Sequence, residues 1–94
     1  MRLTIIALLS VLLPTAAAYG DEIAVKLKRA PGVDQVEANC AACHSLDYVQ
    51  MNSTFLSAVA WDAEVAKMIN VFGAPIDSAT ASTIGSYLKD NYGK

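Results

Sequence analysis

Both cysteines and the single histidine of this 94-residue chain stand in one pentapeptide, Cys40-Ala41-Ala42-Cys43-His44. Two cysteines three apart at a helix end can reach the two vinyl groups on one edge of a porphyrin and form thioethers. A histidine directly after the second cysteine then lies under the iron. In an exported chain, Cys-x-x-Cys-His is the attachment signature of c-type haem. The expected roles are therefore Cys40 and Cys43 as covalent haem anchors and His44 as the proximal iron ligand. Three other readings compete. A Cys40–Cys43 disulfide closes a very short loop and so stabilises little. A thioredoxin-like dithiol needs a βαβ context, and no convincing pair of strands is present. Structural zinc takes four ligands, and two cysteines with one histidine leave the site one short.

Export is read from the start of the chain. Residues 1–18 hold 13 apolar residues and one charge, Arg2. The apolar run covers residues 3–13, Pro14 breaks it, and Ala16-Ala17-Ala18 supplies small residues for cleavage. The pattern predicts a secretory signal peptide over 1–18, a mature c-type cytochrome domain over 19–94, and a periplasmic location. The alternative is a retained anchor, but eleven helical residues span only about 16 Å against a hydrocarbon core of about 30 Å. No later stretch is apolar enough to cross, so no membrane anchor is expected. Removing the leader also explains the composition. The whole chain is 54% hydrophobic, whereas the remaining 76 residues are one half apolar, which is ordinary for a globular domain. They carry six Lys/Arg against nine Asp/Glu. No basic stripe of the kind nucleic acid requires is present. Lys26, Lys28 and Arg29 form one basic cluster, which reads as a solvated surface.

The mature chain reads as all-α, with three main helices. Ile23, Val25 and Leu27 alternate with Ala24, Lys26 and Lys28, which predicts an extended segment packing one edge on the body. Pro31-Gly32 closes it. The first helix is expected over 34–43, with Asp34 as cap and Glu37 completing a capping box. Its face would carry Val33, Val36, Cys40 and Cys43. Residues 45–54 show no sustained period and read as a loop. The second helix is expected over 60–72, with Trp61, Val65, Met68, Ile69 and Phe72 on its apolar face and Gly73 as its stop. Asp62 and Glu64 fall off that row and read as solvated. The third is expected over 79–91, capped by Asp77 or Ser78, with Ala81, Ile84, Tyr87 and Leu88 facing the core. So few apolar residues make a marginal core. A buried porphyrin would enlarge it, and the haem-free chain is expected to fold poorly.

With His44 used, no second histidine exists for the sixth iron position. The protein donor left is a methionine thioether, which raises the potential in cytochromes of the c type. Met1 leaves with the leader. Met51 follows His44 by seven residues, a short reach from one haem face to the other. Met68 follows by twenty-four and sits on an apolar helix face. Met68 is the expected distal ligand, with Met51 as the alternative and an open or water-bound position as the third case. No catalytic set accompanies them, so the domain has the parts to hold and exchange one electron.

Several stretches together resemble a known family. They are Pro31-Gly32-Val33-Asp34 through CAACHSLDY, Trp61 to Met68 (WDAEVAKM), Phe72-Gly73-Ala74-Pro75-Ile76, and Ile84 with Tyr87-Leu88. Over residues 31–92 the chain resembles the small monohaem cytochrome c subunit of periplasmic sulfite dehydrogenases. The resemblance implies a small class I cytochrome c fold around one covalent haem c. It implies a molybdenum-cofactor subunit as partner, oxidising sulfite to sulfate, and a soluble cytochrome c as downstream acceptor. It also implies Cys40 and Cys43 as thioether positions, His44 as proximal ligand and Met68 as the methionine of the helix motif. A free periplasmic shuttle with several partners and a haem-based small-ligand binder are the alternatives to a subunit role.

Overall fold

The computed structural model describes residues 25–94. The expected export signal over 1–18, its cleavage point and the start of the mature segment lie outside the described residues. Four helices are present among the described residues: α1 (Val33–Cys40), α2 (Asp47–Asn52), α3 (Ala58–Asn70) and α4 (Ser78–Tyr92). No strand occurs among the described residues. The all-α class is therefore correct, with one helix more than the three expected. No described helix is long and apolar enough to cross a membrane.

Helix α1 starts from a turn rather than from a side-chain cap. Gly32 takes φ 96°, in the left-handed region that costs a residue with a Cβ more than glycine. The turn's carbonyls take the first free N–H groups: Val33 donates to Ala30, and Gln35 and Val36 both donate to Gly32. The expected capping box is consequently not made. Asp34 instead lies inside the first turn, where its charge complements the helix dipole. Glu37 pairs with Arg29 at 2.6 Å. Gly32 also lets α1 approach α4, since a Cβ there would come within 3.1 Å of Tyr87 Cβ and 3.2 Å of the Thr83 carbonyl oxygen. The helix ends at Cys40, three residues before the expected boundary, and residues 41–43 form a turn. The predicted single face is thereby cut. Val33 and Val36 are buried and Cys40 packs on the core, while Cys43 is exposed.

Residues 45–54, expected as a loop, contain α2. It has only six residues and one buried side chain, Val49, so it offers no period to read. Helix α3 begins two residues before its expected start because Ser57 caps it, its side chain accepting from the Ala60 N–H. Trp61 is 2% exposed, and Val65 packs beside the core. Phe72, expected on the same face, is 69% exposed. The helix has stopped at Asn70 by then, and Gly73 at φ 72° turns the chain away. Asp77 caps α4 by accepting from the Thr80 N–H at 2.7 Å. The expected core face of that helix holds at Ile84, Tyr87 and Leu88, and Tyr92 extends it.

Helix α4 is the spine: α1, α2 and α3 each pack on it, and no Cα pair within 8 Å joins any two of those three helices to each other. The leading segment is fastened to the same helix. Leu27 is buried, the Tyr87 hydroxyl donates to the Lys28 carbonyl at 2.6 Å, and the Lys28 N–H donates to the Tyr92 hydroxyl at 2.9 Å. Burial pushes the Tyr87 hydroxyl up to about 12. Lys26, Lys28 and Arg29 are exposed, with Lys28 Nζ donating to the Asn91 carbonyl and Arg29 paired with Glu37.

Candidate functional site

Helices α1 and α3 share a base on α4 with no Cα pair within 8 Å between them, and a cleft lies between them. It encloses about 80 Å³ and is open to solvent on one side. Cys40, Cys43 and His44 line it from the end of α1 and the turn that follows. Met68 lines it from α3, with Trp61 and Val65. Ile84 and Leu88 of α4 contribute the base, and Ala74 and Ile76 a further wall. Of the sequence-predicted site residues, the fold brings Cys40, Cys43, His44 and Met68 to this one cleft. Met51 lies outside the lining, 69% exposed on α2.

The two thiols differ in setting. Cys40 is half-buried, and desolvation pushes its thiol above the usual range. Cys43 is exposed at the lip, and both cysteines are free. The His44 Nδ1 lies 3.2 Å from the Ser45 carbonyl oxygen. A carbonyl only accepts, so this contact puts the proton on Nδ1 and leaves the Nε2 lone pair available to a metal. The same carbonyl accepts the Tyr48 N–H at 3.3 Å. Ser45 is braced in turn, its hydroxyl donating to Asp47 Oδ2 and accepting the Asp47 N–H.

Tyr48 and Glu64 also line the cleft. The Tyr48 ring stands 5.2 Å from the His44 ring, tilted by 49°. Its hydroxyl donates to Glu64 Oε2 at 3.1 Å, while Lys67 Nζ donates to Glu64 Oε1 at 2.8 Å. The Lys67 ammonium holds the Glu64 carboxyl below its ordinary value. Burial, then the bond to Glu64, pushes the Tyr48 hydroxyl up. Glu64 is therefore not the solvated residue that its position off the apolar row suggested; its side chain is 19% exposed. Asp62 is the solvated one, pairing with Lys89 on the surface. Tyr48 carried no usable sequence signal, because its helix had none.

The donor set fits a covalently held haem. Two thiols and an imidazole converge from one side, a thioether from another, and the walls between are mostly aliphatic and aromatic. No group of three or more His, Cys, Asp or Glu that could by itself hold a metal ion occurs among the described residues. No family model matches this chain. Nor does a comparison with curated proteins give a match.

Proposed function

We propose that this protein is a monohaem c-type cytochrome that transfers single electrons in the periplasm. The observation that carries the reading is the convergence of Cys40, Cys43, His44 and Met68 on one apolar cleft. In this reading Cys40 and Cys43 are the residues that would hold the haem covalently, through their thiols. His44, through Nε2, and Met68, through its thioether, are the residues that would ligate the iron. The haem supplies one-electron exchange when bound. The chain's own part is to fix the ring, to exclude water with Trp61, Val65, Ile84 and Leu88, and to raise the potential through a thioether ligand. The fold proposed is a small class I cytochrome c.

The resemblance over residues 31–92 supports a more specific role. In it the protein is the haem subunit of a sulfite dehydrogenase, accepting electrons from a molybdenum-cofactor subunit and passing them to a soluble cytochrome c. Mass spectrometry of the exported protein tests the cofactor: the reading expects one covalent haem, lost when Cys40 and Cys43 are both replaced by alanine. Spectroscopy of the ferric form tests the ligands. Met68→Leu is expected to abolish the weak far-red band of methionine-ligated haem, and Met51→Leu to keep it. Stoichiometric carbon monoxide binding to the reduced protein would favour an open sixth position instead. Failure of the tagged protein to co-purify with a molybdenum enzyme from its own host would favour a free shuttle.

A further inference from the structure

Helices α2 and α3 have no Cα pair within 8 Å of each other, yet one side-chain bond ties them, from the Tyr48 hydroxyl to Glu64 Oε2 across 16 positions of sequence. That bond ends on the aromatic ring that stands against His44. Tyr48 is the second residue of α2, so its backbone is fixed by the helix while its hydroxyl is fixed by α3. The ring between them has little freedom to turn. The Ser45 carbonyl, which also accepts the Tyr48 N–H, holds Nδ1 of His44. Contacts that lie outside the metal's own ligands orient a ligating imidazole and tune the metal.

We infer that Tyr48 is a positioning residue for His44, setting the plane of its imidazole, and that Glu64 acts through Tyr48 by holding the hydroxyl. This rests on the haem reading of the cleft. Lys67 belongs to the same chain of contacts, because its ammonium fixes the other Glu64 oxygen and leaves Oε2 to Tyr48.

The test uses the exported protein with its haem attached. In the ferric state, the spread of the four haem methyl proton resonances reports the direction of the axial imidazole plane. Tyr48→Phe and Glu64→Ala both release the tie, so each is expected to change that spread in the same direction. The double variant is expected to go no further than either single one. Glu64→Gln keeps an acceptor oxygen while removing the charge, and is expected to retain the wild-type pattern. Wild-type spread in Tyr48→Phe and Glu64→Ala would overturn the inference, as would additive shifts in the double variant or a Gln variant that behaves like Ala. Should Glu64→Ala fail to fold, Tyr48→Phe alone decides, since it removes only one oxygen. Absence of covalent haem from the wild-type protein is a different result, and overturns the cofactor reading first.

Discussion

The Trp61 indole joins the cleft wall to the end of the spine, and replacing it separates two energies. Trp61 is 2% exposed, and its Nε1–H donates to the Tyr92 carbonyl at 2.9 Å. Tyr92 closes α4, where the last four carbonyls of a helix have no partner within it. The indole N–H is thus the donor that satisfies a buried chain end. Trp61→Phe keeps an aromatic ring and removes that donor. An acceptor left unpaired costs about 1–3 kcal/mol. Trp61→Ala removes the ring as well, with a packing loss of about 3–5 kcal/mol. A domain of this size has roughly 4–11 kcal/mol in all, so the alanine variant is expected to lie near the edge of folding. Urea unfolding of the haem-loaded protein, followed by far-ultraviolet circular dichroism, measures both. With a denaturant slope of about 1 kcal/mol per molar, Trp61→Phe should lower the midpoint by about 1–3 M and Trp61→Ala by more. Val59→Ala on the same helix is the control. Val59 is 79% exposed, and such changes stay within about 0.5 kcal/mol. A Phe variant that matches wild type would refute the role of the hydrogen bond. Equal losses in the Phe and Ala variants would refute the packing argument.

Three further outcomes are expected. Gly32→Ala puts a Cβ at a left-handed position, for about 1–2 kcal/mol, and drives it against Tyr87 and Thr83. A loss of about 2–4 kcal/mol in the same urea assay is expected, and a stability unchanged from wild type would show that α1 can retreat from α4 freely. The Asp77 carboxyl is held below its ordinary value by the Thr80 N–H and then by the Thr80 hydroxyl. A lowered folded value stabilises above the unfolded pKa, near 4, and that contribution is lost as pH falls through the folded value. Asp77→Asn keeps an acceptor at the cap, so its acid unfolding profile should be flatter than wild type below pH about 4, and an identical profile would contradict this. Haem-free protein, made with both cysteines changed to alanine, should show much weaker helical dichroism than the loaded form, and matching spectra would remove the cofactor from the account of folding.

What could be read along the chain was what lies in local repetition. The faces of α3 and α4 near their centres, at Trp61, Val65, Ile84, Tyr87 and Leu88, follow the helical period, and that period is a property of the sequence. So is the cluster Cys40-Ala41-Ala42-Cys43-His44, whose spacing carried the expectation of its role. The cap at Asp77 was legible for the same reason, since it depends on residues within one turn, whereas α3 ends at Asn70, two residues before the expected boundary at Gly73.

The rest depended on partners distant in the chain. Whether Glu37 closes a capping box or meets Arg29 was decided by the turn at Gly32, whose carbonyls reached the free N–H groups first. Helix α2 has one buried side chain and exists because Val49 finds α4, which no window of six residues reveals. Glu64 looked solvated on its own helix and is held by Tyr48 from another. The expected site residues were named from spacing, but their convergence was not contained in it. That Met68 lines the cleft of Cys40, Cys43 and His44, and Met51 does not, is set by where α1 and α3 stand on α4. The sequence determined which groups are present and which way α3 and α4 face the core. The tertiary structure decided which of them share a space, because that is set by how helices cross, and crossing is settled by contacts between residues far apart in the chain.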